Sequence, residues 1–147
     1  MNNNNTQNVS EQNMNNLLML LDGALRYTQY AKKGIEQNDS KMRNENISKA
    51  ISIFTQLDSA LDKSAGGEIA ENLSSLYKFL MNQLTQANIQ EDASMIDGAE
   101  KVLKDIKDAF EGAAKNVLDE RQNNVNQQQS PVNQNDQPQG RGLTIDI

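Results

Sequence analysis

The side chains that most often carry enzyme chemistry are absent from this chain. It contains no cysteine and no histidine, so it has no thiolate nucleophile, no disulfide and no imidazole to act as a general base or metal ligand. The Glu-x-x-His pairs of a carboxylate-bridged metal bundle cannot occur either. We therefore predict that the protein is not an enzyme and binds no cofactor or metal.

The distribution of charge excludes nucleic acid as a partner. The formal net charge is −6, and the Lys and Arg residues are interspersed with Asp and Glu, so no basic stripe forms. The longest uncharged apolar run, Leu17 to Leu21, is too short to cross a bilayer or to form the core of a signal peptide. The starting sequence MNNNNTQ also lacks a basic flank. These features predict a cytoplasmic protein without membrane insertion.

The remaining chemistry is that of apolar binding, and it is concentrated in residues 17–35, LLMLLDGALRYTQYAKKGI. On a helix, one continuous face is formed by Leu17, Leu18, Leu20, Leu21, Ala24, Leu25, Thr28, Ala31 and Ile35. Uncharged residues continue beyond that face through Tyr27, Gly34, Gly23 and Tyr30, so the arc covers roughly 240°, against about 100° for an ordinary surface helix. Part of the arc should build a core and the rest should bind another helix. In the alternative, Tyr27 and Tyr30 pack against the N-terminal segment or the second helix.

The elements that position this stretch are predicted to be four helices. Between Leu17 and Leu118 there is no proline, and the apolar residues recur with the 3.6-residue period of a helix. Helices are expected at about 14–37, 41–63, 67–88 and 94–119, with turns at residues 38–40, 64–67 and 90–94. Similar lengths and short connections predict an all-α fold, an antiparallel up-down four-helix bundle.

Each later helix carries an apolar stripe that we expect to face the core. The second helix contributes Ile47, Ala50, Ile51, Ile53, Phe54, Leu57 and Leu61. The third contributes Ile69, Leu73, Leu76, Tyr77, Leu80, Leu84 and Ala87, with Phe79 pointing elsewhere. The fourth contributes Met95, Ala99, Val102, Leu103, Ile106, Phe110, Ala113 and Val117. Asp58 falls inside the second stripe, so its carboxylate must find a polar partner or reach water.

The two ends of the chain differ in composition from its middle. Residues 1–16 and 120–147 are rich in Asn and Gln and have little to bury, so we predict disordered tails around a bundle domain at 17–119. The chain ends in GRGLTIDI, where Leu143, Ile145 and Ile147 alternate with other residues. Either this end has no role, or these three residues form a tethered lid over an apolar groove.

Four strings in the predicted bundle, in this order and spacing, resemble the flagellin export chaperones of the FliS family. They are LLMLLDGALRYTQYAKKGIEQND, NISKAISIFTQLDSALD, GGEIAENLSSLYKFLMNQLTQANIQED and MIDGAEKVLKDIKDAF. The resemblance implies a bacterial cytoplasmic chaperone that binds the disordered C-terminal segment of flagellin, prevents its premature polymerisation and delivers it to the flagellar export apparatus. It leaves the involvement of a co-chaperone open.

Together with the spare arc of the first helix, the resemblance suggests where a client would bind. The expected client-binding groove comprises Leu17, Leu20, Leu21, Gly23, Ala24, Tyr27, Tyr30, Gly34, Ile51, Phe54 and Tyr77. The two glycines would let a partner backbone approach closely, and the tyrosines would add large, stiff contact area.

The chain also departs from the usual pattern of that family. Leu21 stands where a tyrosine is usual, and Phe110 is the nearest counterpart of a late tryptophan. These departures leave open a specialised paralogue with a different client. A helical adaptor or scaffold that joins two proteins is an alternative from another class, and an Asn/Gln-driven condensate former is a third.

Overall fold

The computed structural model describes the backbone of residues 3–136 and the side chains of residues 12–62 and 64–128. These residues form the helices α1 (Asn3–Glu36), α2 (Ser40–Ser59), α3 (Lys63–Gln90) and α4 (Ala93–Asp136), and none of them is in a strand. The chain divides into two compact units, Met1–Phe110 and Glu111–Ile147. Leu143, Ile145 and Ile147, the predicted lid, lie outside the described residues.

The first unit is the predicted antiparallel bundle. Short connections make α2 antiparallel to α1, α3 to α2 and α4 to α3. Two ion pairs show that α1 and α4 are also neighbours. Asp22 pairs with Lys107, while Lys32, later in α1, pairs with Asp97, earlier in α4. Helix α1 is therefore antiparallel to α4 as well, and each helix has two neighbours in a closed ring.

Two of the three predicted turns are confirmed by their capping side chains. Between α1 and α2, Asn38 has a positive φ of 56° and Asp39 accepts a hydrogen bond from the Met42 backbone nitrogen at 3.0 Å. Between α3 and α4, Glu91 has a φ of 53° and Asp92 accepts a bond from the Ser94 backbone nitrogen at 2.9 Å. Each acidic side chain satisfies an amide that the following helix leaves without a partner.

The turn predicted at residues 64–67 is displaced. Helix α2 already ends at Ser59, and α3 begins at Lys63, because Asp62 caps it by accepting a hydrogen bond from the Ala65 backbone nitrogen at 3.1 Å. Gly67 then interrupts α3 with φ 53° and ψ −127°. Glycine alone adopts that conformation readily, so the glycine pair makes a kink inside α3 rather than the reversal itself.

The outer helices are longer than the sequence predicted. Helix α1 begins at Asn3 instead of near Met14, and α4 ends at Asp136 instead of near Asp119. No glycine or proline interrupts the chain before Gly23 or between Gly112 and Pro131, so nothing in the backbone requires α4 to end before Pro131. The helix includes that proline and continues to Asp136. The disorder expected for the two ends stays a prediction. No helix within residues 3–136 is both long and apolar enough to cross a membrane.

The core of the bundle confirms the α2 stripe and most of the α3 and α4 stripes, and it corrects single positions in the latter two. Its buried members are Leu21, Ala24, Ala31, Ile47, Ala50, Phe54, Leu57, Tyr77, Leu80, Leu84, Ala87, Ile96, Ala99, Leu103 and Ile106. In α4, Ile96 is buried in addition to the predicted residues and the half-buried Met95 packs against the core, whereas Ala113 and Val117, in the second unit, are exposed.

Helix α3 is rotated relative to its predicted stripe. Ile69 and Leu76 were expected in the core but are 73% and 38% exposed, whereas Ala70 and Ser74 are buried. The Ser74 hydroxyl donates a hydrogen bond to Asp58 at 2.5 Å. This bond supplies the polar partner that a half-buried carboxylate requires, and it turns the Ser74 side of α3 towards α2.

Candidate binding surfaces

The two glycines of the predicted groove on α1 face α2. A Cβ atom on Gly34 would lie 2.6 Å from the backbone nitrogen of Arg43, and one on Gly23 would lie 3.4 Å from the Cδ1 atom of Ile53. The backbone that approaches α1 so closely is therefore that of α2. The expectation that this arc lies beyond the packing of the domain itself is wrong for both glycines.

The tyrosines of the same arc lie at the outer edge of the contact between α1 and α2. The Lys49 ammonium of α2 lies 5.5 Å from the centre of the half-buried Tyr27 ring, in a cation–π contact. Tyr30 is exposed and Leu20 is half-buried. We call Leu20, Tyr27 and Tyr30 the α1–α2 edge, because these members of the predicted groove retain accessible surface on the side of α1 that borders α2.

Four other predicted site residues lie in the core. Leu21, Ala24, Phe54 and Tyr77 are buried, and the rings of Phe54 and Tyr77 stack with centroids 6.2 Å apart. Burial raises the pKa of the Tyr77 hydroxyl, and the negative charge of Asp58 acts in the same direction. A ligand on the surface of the bundle cannot touch these four side chains.

The last two predicted residues, Leu17 and Ile51, are half-buried. Ile51 lies on the side of α2 that faces α3, because Thr55, one turn later, donates a hydrogen bond to the Met81 sulfur of α3 at 3.5 Å. The eleven predicted residues are thus divided: three form the α1–α2 edge, the two glycines face α2, four lie in the core, Leu17 packs against the core and Ile51 lies towards α3. The structure does not bring them together in one surface.

An apolar surface that the sequence analysis missed lies on α3. Ile69, Leu76 and Phe79 are 73%, 38% and 44% exposed. Ile69, Leu76 and Gln83 follow one another at seven-residue spacing and so share one side of the helix. A Cβ atom on Gly98 of α4 would lie 3.6 Å from the Gln83 side-chain nitrogen. This side of α3 therefore borders α4.

The facing side of α4 carries small or uncharged residues on both sides of the exposed Asp105, which follows Gly98 by seven residues. Val102 and Ala109 follow Gly98 by four and eleven residues, so they share its side of the helix. Val102 is half-buried, whereas Gly98 and Ala109 are exposed. We call the resulting surface the α3–α4 groove, with Ile69, Leu76 and Phe79 on one wall and Gly98, Val102 and Ala109 on the other.

One signal in the sequence indicated this groove. Phe79 was singled out as an aromatic residue outside the core stripe, and it lies about 60° from Leu76 on the helical wheel. The apolar arc of α3, which runs from the buried stripe through Leu76 to Phe79, is wider than a contact with the core requires. The wide apolar arc of α1 is largely covered by α2, whereas that of α3 stays exposed.

The opposite edge of α4 is closed by polar contacts with α1. We call it the α1–α4 edge, and its contacts are Asp22–Lys107 at 2.6 Å, Lys32–Asp97 at 2.6 Å, Gln29–Glu100 at 3.3 Å and Glu100–Lys104 at 2.9 Å. The hydrogen bond from Lys104 lowers the pKa of the Glu100 carboxyl, and Gln29 and Lys32 add to that effect while burial opposes it. The hydrogen bond to Asp97 raises the pKa of Lys32.

Comparisons with known proteins agree with the architecture. The sequence profile of the family described as "Flagellar protein FliS" matches residues 1–117. The "Flagellar secretion chaperone FliS" of Salmonella typhimurium is 42% identical over 93 residues, which are 63% of this chain and 69% of that protein. The protein of the same name from Vibrio cholerae is 37% identical, over 63% of this chain and 68% of that protein.

A third relative covers more of both chains. The "Flagellar secretion chaperone FliSB" of Pseudomonas aeruginosa is 34% identical over 105 residues, which are 71% of this chain and 83% of that protein. The family match at residues 1–117 covers the first unit, where the sequence resemblance was found. The chain therefore belongs to the FliS family of flagellar proteins.

Proposed function

We propose that the protein is a flagellin chaperone of the bacterial cytoplasm. In this proposal it binds the disordered C-terminal segment of flagellin, prevents premature polymerisation and delivers the subunit to the flagellar export apparatus. Membership of the FliS family supports a chaperone role, because relatives at 37% and 42% identity are named flagellar secretion chaperones. We propose flagellin as the client because the sequence resembles the flagellin export chaperones. The role is one of binding, without a catalytic step.

The observation that carries the proposal is the exposed apolar wall of the α3–α4 groove. A disordered segment that folds on binding presents amphipathic helices, and these need an apolar groove in which to bury one face. Leu76 and Phe79 supply adjacent large side chains there, and Gly98 on the facing wall leaves room for a backbone to approach. Aromatic and aliphatic side chains of this kind are the usual anchors of a helical ligand.

The α1–α2 edge is the second proposed contact. Leu20, Tyr27 and Tyr30 are the accessible members of the arc that the resemblance pointed to, and a long client segment has room to contact both surfaces. Leu17 and Ile51 remain proposed contacts through their accessible parts. The buried residues of the predicted groove would act by supporting the helices from within.

Charge-introducing variants test the proposal. Leu76→Asp and Phe79→Asp should each weaken binding of a flagellin C-terminal segment by about thirtyfold or more, as expected for an interface anchor. Tyr30→Asp reports on the α1–α2 edge in the same way. Thr85→Asp is the matched control, because Thr85 is exposed on α3 about 180° around the helix from Leu76 and the substitution introduces the same charge. Calorimetry measures the dissociation constants, and circular dichroism checks that each variant is folded.

The outcomes separate the competing functions. Loss of binding in Leu76→Asp and Phe79→Asp, with binding by Thr85→Asp unchanged, supports the chaperone and its groove. Failure of the unaltered protein to bind flagellin overturns the proposal and favours a different client or an adaptor role. Loss of binding in Tyr30→Asp alone moves the client to the α1–α2 edge.

A further inference from the structure

We infer that residues 143–147, LTIDI, fold back and dock on the part of α4 that belongs to the second unit, against a hollow beside Val125. We call these five residues the LTIDI segment. The contact lies within the unit Glu111–Ile147, which contains both the hollow and the segment. It goes beyond the proposed function, because it needs no client.

The docking surface is an exposed apolar stripe on α4. Leu118 and Val125 are 49% and 51% exposed, and their seven-residue spacing puts them on one side of the helix. A hollow of about 310 Å³ adjoins Val125, and the described residues that line it are Arg121, Gln122, Val125 and Asn126. Pockets that hold small ligands begin at about 300 Å³. The hollow can therefore receive apolar side chains of a docked segment.

This part of α4 has little else to hold it in a helix. Residues 122–129, QNNVNQQQ, contain one apolar residue, Val125. Asparagine is a poor helix former, and a helix in a protein takes most of its stability from the packing of an apolar face. Helix α4 nevertheless continues to Asp136. A partner that covers Val125 supplies packing that the helix cannot provide for itself.

The LTIDI segment is an apolar partner within the same unit. The large apolar side chains of residues 133–147 all belong to this segment, and they are Leu143, Ile145 and Ile147. Because they alternate with polar residues, an extended segment presents all three on one side. From its first to its last residue the segment is about 13 Å long in that conformation. This length matches about nine residues of helix.

The chain that joins α4 to the segment is long enough for the return. Val125 lies 11 residues before Asp136, or about 16 Å along the helix axis. Residues 137–140, QPQG, have proline and glycine at the second and fourth positions, as a type I turn prefers. The extended residues 141–147 then span about 23 Å, which is enough to pass Val125. A short tether also gives the segment a high local concentration, so a small contact is sufficient.

Paramagnetic labelling of the full chain tests this docking. The chain has no cysteine, so Thr144→Cys provides one attachment point for a nitroxide, on the side of the segment away from its apolar residues. A nitroxide broadens the NMR signals of nearby backbone amides. We expect loss of signal intensity at residues 121–126 and unchanged intensity at Leu76 and Phe79 in the α3–α4 groove.

Variants of the labelled chain separate docking from simple tethering. Ile145→Asn combined with Ile147→Asn removes two apolar side chains without a change of charge, and it should restore the signals of residues 121–126. Val125→Asn should restore them as well, because it removes the apolar residue beside the hollow. Gln137→Ser combined with Gln139→Ser is the matched control. It changes two polar residues of the tether and should leave the broadening as it was.

Each outcome decides the inference. Restored signals in the two apolar variants, with broadening kept in the tether control, support docking beside Val125. Equal broadening in all variants overturns it, because proximity would then follow from the tether alone. Restoration in the isoleucine variant but not in Val125→Asn overturns the hollow as the docking place. Broadening at Leu76 and Phe79 in place of residues 121–126 overturns the inference in favour of a lid over the α3–α4 groove, and absence of broadening at both overturns it outright.

Amide hydrogen exchange of the unlabelled chain is a second measurement. In the chain with Ile145→Asn and Ile147→Asn, exchange at residues 121–126 should be about three- to tenfold faster, because this part of α4 loses the packing that holds it in a helix. Exchange at Leu103, in the core of the bundle, should stay the same. An unchanged rate at residues 121–126 overturns the inference. Neither measurement uses flagellin, so the result is independent of the proposed function.

Discussion

The two edges of α4 are built from different kinds of side chain. Towards α1, Asp97 and Lys107 are engaged in ion pairs and Glu100 accepts hydrogen bonds from two partners. Towards α3, Leu76 and Phe79 stay exposed beside a glycine. A partner that covered the α1–α4 edge would have to desolvate charges that already have partners, whereas one that covered the α3–α4 groove would remove apolar surface from water. One helix therefore has a closed edge and an open one.

The same comparison separates stability from binding. The core beneath both edges is shared, and it is formed by residues such as Ile96, Ala99 and Leu103. Exposed ion pairs and exposed apolar side chains each add little to the free energy of unfolding. The edges are consequently free to differ in chemistry without a large effect on the stability of the bundle.

The largest predicted effect is the contrast between the core and the groove wall. Leu103→Ala should lower the free energy of unfolding by about 2 to 5 kcal/mol, because it leaves a cavity in the buried core. Leu76→Ala should lower it by less than about 1 kcal/mol, because that side chain is already partly in water. Urea unfolding followed by circular dichroism measures both values. Equal losses would mean that Leu76 is a core residue and that the groove is not open.

The next effect concerns two glycines with different neighbours. Gly34→Ala should destabilise the protein by about 1 to 3 kcal/mol, since the new methyl group would meet the Arg43 backbone at 2.6 Å. Gly98→Ala should stabilise it by about 0.5 to 1 kcal/mol, since alanine favours a helix and its methyl group would lie 3.6 Å from Gln83. Thermal unfolding measures both. Destabilisation by Gly98→Ala would show that α3 and α4 lie closer together than the groove requires.

The smallest effect belongs to the α1–α4 edge. Glu100→Gln should reduce the free energy of unfolding at pH 7 by no more than about 1 kcal/mol, and by less in high salt. The Lys104 hydrogen bond holds the pKa of Glu100 below its unfolded value of about 4.3. The stabilisation is therefore present above that pH and is lost as the pH falls through the folded-state pKa. Urea unfolding at pH 7 and pH 3 should show the variant and the original converging in acid, and a constant difference would contradict this account.

The helices and most of their turns could be predicted because their causes are local. The 3.6-residue spacing of Ile47, Ala50, Phe54 and Leu57 is sufficient to predict which face of α2 is buried in the core. Asp39 and Asp92 carry the capping chemistry that fixes two helix starts. The third turn was predicted at the glycine pair, residues 66 and 67. In the structure α3 begins before that pair, because the Asp62 side chain caps the helix at Lys63.

The surfaces could not be predicted because they depend on neighbours far away in the sequence. Gly23 and Gly34 allow close approach by any backbone, and the sequence of α1 does not say that α2 is the one that approaches. Ile69 and Leu76 are as apolar as any core residue, yet the Ser74–Asp58 bond turns them away from α2. Which apolar arc stays open depends on this rotation of α3.

Protection of single cysteines by a flagellin C-terminal segment tests the central claim most directly. The chain has no cysteine of its own, so Gln83→Cys on the α3–α4 groove and Gln29→Cys on the α1–α4 edge each place one thiol on one edge of α4. Reaction with a maleimide is followed with and without saturating segment. The account predicts that the segment slows labelling in Gln83→Cys and leaves the rate in Gln29→Cys unchanged. Slowed labelling in Gln29→Cys with an unchanged rate in Gln83→Cys would contradict it.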